Sequence, residues 1–288
     1  MPSRIVCVAI LVYWSVAAWG VVTRDLLPEL SVGGPPDLRM ISAAGDGPTE
    51  ARWSVEVIDD PSQADSRRSV GQAVTRSRRK PDGWVEMTSR VWFDSGKMFR
   101  GTALGVRGDE RIEFVSAFDI DPSGNLRSFH AGVKSREDAE DMLRIEGRLK
   151  DRNMEVVTKG PLPFLNKKLS FEYQPRAVVG SQFGPLDRLP GLQVGQRWDE
   201  RVANPLTGQV ETVRVDVRRK AVIHWDKSPV ETLEVFHTSK AVSARTWVRR
   251  DGVVLRQEVP FPLLRLVLER QPDPTPDNPG TRGPDATR

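Results

Sequence analysis

The sequence predicts a mainly β protein: a large curved antiparallel sheet, half-barrel or barrel-like, preceded by one N-terminal membrane helix. Three observations carry this. Between residues 51 and 270, apolar and polar residues alternate with period two through one segment after another. The segments are separated by short turn signals, leaving little room for the crossover helices that parallel strands require. Residues 5–22, IVCVAILVYWSVAAWGVV, contain no charged side chain.

The N-terminal segment comes first in the chain. At 1.5 Å per residue, 18 helical residues reach about 27 Å, just enough to cross a bilayer core. Arg4 precedes the segment and Arg24, Asp25 and Glu29 follow it, so the positive-inside preference leaves the N-terminus in the cytoplasm and the body outside. Trp19 fits an interfacial belt position. The alternative is a signal peptide cut after the small residues around Val16 and Ala18. Either way the body is exported: it stands in the periplasm on a single-pass inner-membrane anchor, or it is secreted after cleavage. The expected division is 1–23 anchor or signal, 24–50 linker, 51–270 β domain and 271–288 disordered tail. The linker rests on Gly33-Gly34-Pro35-Pro36 and weak periodicity, with a helical turn at most around Asp37 to Ala44. The tail is rich in Pro, Asp and Gly and nearly devoid of apolar residues.

Within the body, RWSVEVI sets Trp53, Val55 and Val57 on one face against Arg52, Ser54 and Glu56 on the other. SVGQAVTRSRRK and WVEMTSRVWF flank Pro81-Asp82-Gly83, a hairpin in which proline fixes one φ and glycine accepts a positive one. RIEFVSAFDI and LRSFHAGV flank Asp121-Pro122-Ser123-Gly124, and LRIEGRL and MEVVTK flank Lys150-Asp151-Arg152-Asn153. SREDAEDML, residues 135–143, reads as a capped surface helix or an acidic loop. RWDERVANP, QVETVRVDVRRKAVIHW, ETLEVFHTS, ARTWVRR, VVLRQEV and LLRLVLE complete a set of roughly ten to thirteen strands. In the last two segments Val253, Leu255 and Val259 should share one face opposite Val254, Arg256 and Glu258, and Leu264, Leu266 and Leu268 should lie opposite Arg265 and Glu269.

Composition narrows the function classes. The 288 residues are 38% hydrophobic and 28% charged, enough for a sizeable core. The net charge of +4 is dispersed, so no basic stripe suggests nucleic acid. The single cysteine, Cys7, lies in the apolar segment; the body therefore has no disulfide, thiol nucleophile or thiolate metal ligand. His130, His224 and His237 stand apart without metal-ligand spacing, and no cofactor or metal is expected. No Gly-x-Ser-x-Gly elbow occurs, since Ser181 lies in VVGSQFG. Asp119, Asp121 and Ser123 resemble the start of a calcium loop, but its twelfth position is His130 rather than glutamate, so a plain turn is expected. The pairs Glu110 and Glu113, Glu137 and Asp138, and Asp199 and Glu200 read as solvated carboxylates. Trp53, Trp84, Trp92, Trp198, Trp225 and Trp247 read as packing residues, with a carbohydrate or lipid platform as the alternative. No catalytic or ligand-binding residue is singled out.

From Gly191 to the end of the fold the chain carries Gly195-x-x-Trp198, Asn204-Pro205-x-x-Gly208, and Trp247 with Asp251-Gly252 leading to Arg256-Gln257-Glu258. In these it resembles bacterial exported β-proteins grouped with the LolA/LolB-like periplasmic half-barrels. The resemblance implies a curved sheet around an apolar concavity, which in the carrier members accepts lipoprotein acyl chains. The expected function is thus a non-enzymatic, membrane-anchored exported protein that binds an apolar envelope ligand, lipid or lipoprotein-like, or an envelope protein partner. A purely structural or assembly module, or a hydrolase with a tertiary site, are the alternatives.

Overall fold

The computed structural model describes residues 34–36, 49–58, 66–100, 110–135, 141–173, 185–204, 209–239, 243–261 and 264–273. The expected anchor, most of the linker and the tail lie outside them, as do residues 136–140, where the helix-or-loop alternative falls. Among the described residues no helix is long and apolar enough to cross a membrane.

Fourteen strands form one antiparallel sheet: β1 (Thr49–Ile58), β2 (Arg67–Arg79), β3 (Val85–Asp94), β4 (Arg111–Ile120), β5 (Leu126–Lys134), β6 (Leu143–Lys150), β7 (Asn153–Lys159), β8 (Lys167–Glu172), β9 (Arg197–Asn204), β10 (Gln209–Trp225), β11 (Ser228–Thr238), β12 (Ser243–Arg249), β13 (Val254–Phe261) and β14 (Leu264–Arg270). Consecutive strands pair with each other except β8 and β9, and β1 pairs with β14. The chain therefore meanders around a barrel-like circuit whose one unpaired seam separates β8 from β9. Cα atoms of β8 and β10 come within 8 Å of each other, yet the sheet is not closed by hydrogen bonds. The edge strand β8 escapes the sequence pattern because only Leu169 and Phe171 alternate in it, after two lysines.

The alternation works as the pattern requires. Ala51, Trp53, Val55 and Val57 of β1 face inward with Val85, Met87, Val91 and Phe93 of β3, Phe118 and Ile120 of β4, and Met154 and Val156 of β7, forming one apolar core. Trp53 is 0% exposed, and its indole N–H donates to Thr75 Oγ1 at 3.1 Å, so its polar atom is satisfied. Phe129 lies over Gly147 on the neighbouring strand, where any β-carbon would overlap the ring. This close approach requires glycine. Register shifts interrupt four ladders, between Val55 and Glu56, Asp119 and Ile120, Val217 and Arg219, and Trp247 and Val248. Such bulges add twist and bend the sheet.

The bulge between β12 and β13 corrects one expectation. Val248 pairs with Val254 and both join the main core, while Leu255 and Val253 join a second cluster with Ile223 and Trp247. Gln257 and Val259 return inward. Val253 and Leu255 do share a face opposite Val254, but the extra residue puts Val259 on the face of Val254 rather than on theirs. Leu264, Leu266 and Leu268 do share the inner face.

The two ends of the sheet differ. At one, here the turn end, tight turns join β2 to β3, β4 to β5, β6 to β7, β10 to β11 and β12 to β13. Lys80 N–H donates to Trp84 O at 2.7 Å around Gly83, whose φ is 84°. The Asp121 carboxylate, 5% exposed, accepts from the amides of Ser123 and Asn125, both at 2.9 Å, and from Arg127 Nε at 2.6 Å. That aspartate is the lock of a turn rather than a cation ligand. At the other, distal end β1 stops and β2 starts, as do β3 and β4, β5 and β6, β7 and β8, β11 and β12, and β13 and β14.

Candidate binding cavity

The base of the barrel, at the turn end, is plugged. Residues Pro185–Pro190 run across it: Val254 N–H donates to Asp187 O at 3.0 Å, Leu189 N–H to Gly252 O at 2.8 Å, and Leu186 N–H to Gln257 Oε1 at 3.2 Å. Leu186 and Leu189 are buried in the main core. Asp187 forms an ion pair with Arg270, and both side chains are buried. A β-carbon on Gly252, whose φ is 84°, would stand 2.8 Å from Pro190 Cα, which explains the glycine of Asp251-Gly252. Near the same end Gly34 N–H donates to Arg197 O at 3.3 Å and Gln196 Nε2 donates to Gly34 O at 2.8 Å.

Toward the distal end the inward side chains keep contact with solvent. Ile112 and Phe114 of β4, Leu143 of β6 and Leu169 of β8 line one wall, and Val259, Leu264 and Leu266 the other. All are half-buried, in contrast to Trp53, Leu126, Met154 and Val156 nearer the base. Phe114 stacks on Phe93 with ring centroids 5.6 Å apart, which fixes its position on the wall.

Two titratable side chains share this interior. Glu200 of β9 is 5% exposed and accepts from Trp198 Nε1 at 2.9 Å; burial pushes its carboxyl up to about 7 despite that bond. His237 of β11 pairs with Val215 on the inner face and lies 3.4 Å from Thr246 Oγ1 through Nε2. Its side chain is half-buried, and desolvation lowers its pKa to about 4. At neutral pH His237 is uncharged, and burial holds Glu200 partly in its protonated form.

A concavity of about 490 Å³ lies on the outer face of β4–β7 and is polar. It is lined by Asp119, Ser128, His130, Arg144, Glu146 and Glu155, among others. Aspartate, serine and histidine meet here, but Ser128 Oγ donates to Asp119 Oδ2 at 2.9 Å, and Asp119 is held at 3.3 Å by Lys80. A nucleophile needs its hydrogen bond to the base, and here the serine is turned to the acid instead.

The remaining sequence candidates disperse. His224 sits near the tip of the β10–β11 hairpin, far along the strand from His237, and among the described residues no three His, Cys, Asp or Glu converge on a metal-sized site. Glu113 is buried against Arg90 at 2.8 Å. Asp199 and Glu200 point to opposite faces, Asp199 outward to Arg214 at 3.3 Å, so they cannot act as a pair. Glu137, Asp138 and Ser181 lie outside the described residues. Trp53, Trp198 and Trp247 are buried, and Trp84, Trp92 and Trp225 half-buried; none forms an exposed platform. Sequence reasoning missed Glu200 as an inward group, and no single-strand signal marks the distal leucines as lining rather than filling.

No protein-family model matches the chain, and no curated protein matches it. Among solved structures, it is similar to a β-barrel-like protein of Domain of Unknown Function DUF1849 from Brucella abortus, with a TM-score of 0.51 and 12% identity over 78% of this chain and 95% of that one. A DUF1089 family protein from Pseudomonas aeruginosa aligns with a TM-score of 0.34 and 15% identity, covering 64% of this chain and 87% of the other. The first likeness shows the fold: a β-barrel-like sheet shared with proteins of unknown function.

Proposed function

We propose that this chain is an exported binding domain, held at the inner membrane by residues 5–22, which receives an apolar chain of an envelope lipid or lipidated protein in the distal half of its sheet. The observation that carries the reading is the gradient along the interior: a plugged, fully buried base and a distal wall of half-buried Ile112, Phe114, Leu143, Leu169, Val259, Leu264 and Leu266. A ligand covering this row would gain about 0.8 kcal/mol for each methylene it buries. Near-neutral Glu200 and His237 suit an uncharged guest. The outer groove, with its serine bonded to the acid, favours binding over hydrolysis as the activity. The resemblance of the C-terminal half to acyl-chain carriers points the same way.

Native mass spectrometry of protein released from membranes in mild detergent tests this. The expected result is an added mass of an acyl-bearing species, depleted in a Leu266→Gln variant of equal stability. A clean apo mass under conditions that preserve other lipid complexes would remove the support for an interior ligand.

A further inference from the structure

The distal rim carries an apolar tip that the interior does not use. The segment Gly160–Asn166, between β7 and β8, exposes Leu162 at 50% and Phe164 at 62%, and Met142, whose carbonyl abuts Gly160, is 48% exposed. Large apolar side chains scattered singly on a surface are ordinary, but three gathered at one corner are not. The segment is also rigid. Leu165 N–H donates to Leu162 O at 2.9 Å and Asn166 N–H to Pro163 O at 3.1 Å, closing a 3-10 turn over Pro163–Leu165. Asn166 Oδ1 accepts from Gly160 N–H at 3.0 Å, and Thr158 Oγ1 donates to Leu165 O at 2.6 Å. Pro161 and Pro163 fix two further φ angles. The chain thus holds Leu162 and Phe164 outward against the hydrophobic effect.

Cations flank this tip on the outer face of the sheet. On the outer face Arg144 lies directly opposite Lys159 in the β6–β7 ladder, a like-charge juxtaposition that works against pairing. Lys168 follows on β8, opposite Val157. Lys159 and Lys168 are exposed, and neither has an ion-pair partner among the described residues. The nearby acids Asp141 and Glu146 are taken up by Lys134 at 3.8 Å and by Arg144 Nε at 2.8 Å. Protruding leucine and phenylalanine flanked on the outer face by two exposed lysines match the two halves of an anionic bilayer surface, acyl boundary and headgroup charge.

We infer that the β7–β8 corner docks on a membrane containing anionic lipid, with Leu162 and Phe164 entering the interface and Lys159 and Lys168 meeting the headgroups. The tip adjoins Leu143 and Leu169 of the interior wall, so docking would set the distal mouth against the lipid. The inference stands apart from what occupies the interior.

The test uses the full chain with Cys7→Ser and a single new thiol, Leu162→Cys, labelled with an environment-sensitive nitrobenzoxadiazole dye and reconstituted in vesicles; a Lys227→Cys label at the turn end is the control. In vesicles of phosphatidylcholine with phosphatidylglycerol, the label at 162 should shift to the blue and be quenched by lipid-borne nitroxide, with little change at 227. Lys159→Glu with Lys168→Glu should weaken the quenching several-fold. Equal shifts at both sites, no shift at 162, an equal response in pure phosphatidylcholine, or a shift that follows protein concentration without lipid would each overturn the assignment, the last in favour of self-association.

Discussion

Replacing Glu200 with glutamine should stabilise the fold, by an amount that depends on pH. The carboxyl of an exposed glutamate ionises near 4.5, whereas burial holds that of Glu200 at about 7. Below about pH 4.5 the group is protonated in folded and unfolded chains alike and imposes no cost. As pH rises from there the unfolded chain releases its proton while the folded chain keeps it, so stability falls by about 1.4 kcal/mol per pH unit. Above pH 7 the loss levels off at about 3 kcal/mol. Glutamine keeps the oxygen that accepts from Trp198 Nε1 but cannot ionise. Denaturant unfolding of the parent and of Glu200→Gln, in the same detergent buffer at about pH 4, 6 and 8, measures the difference. The two should coincide at the acid end and separate toward the alkaline end, with the variant more stable. A difference independent of pH, or one that grows toward acid, would refute the argument that Glu200 is desolvated in the interior.

His237 acts in the opposite sense. Its folded pKa of about 4 lies below the ordinary 6.5, so its stabilising contribution is present above pH 6.5 and lost as pH falls toward 4; His237→Gln should shift the acid-unfolding midpoint to lower pH, by less than full burial would give because the ring keeps some water contact. Asp187→Ala leaves the buried guanidinium of Arg270 with only the exposed Asp273, at 3.5 Å, and should cost up to about 3–5 kcal/mol by calorimetry or denaturant; a loss under about 1 kcal/mol would mean the plug is not packed as described. Gly147→Ala puts a β-carbon into the ring of Phe129 and should cost about 1–3 kcal/mol, with Phe129→Leu in the same chain recovering part of it.

Much of this architecture is legible in the sequence, and the exceptions have physical causes. Trp53, Val55 and Val57, and Leu264, Leu266 and Leu268, face inward as period two requires, and Gly83 and Asp121 sit in the turns their chemistry suits. Val259 parts from Val253 and Leu255 because a bulge adds one residue without any local mark in the sequence. Nothing local marks residues 185–190 as a plug of the base, since their partners Val254, Gln257 and Arg270 are distant in the chain. The same limit applies to the site. Asp199 and Glu200 look like a solvated pair until the pleat sends one outward and the other inward. That Leu266 is half-buried while Leu268 is buried depends on how far along the barrel each lies, which alternation does not encode.

The most direct measurement is photo-crosslinking of the full chain in membranes with a diazirine fatty acid, followed by peptide mapping. An interior that accepts an apolar chain from its distal end predicts adducts on the inward residues of β4, β6, β8 and β14, at Phe114, Leu143, Leu169 and Leu264 to Leu266, reduced by unlabelled fatty acid. Adducts confined to residues 5–22 or to the outer face of the sheet, with the distal walls unlabelled, would contradict it.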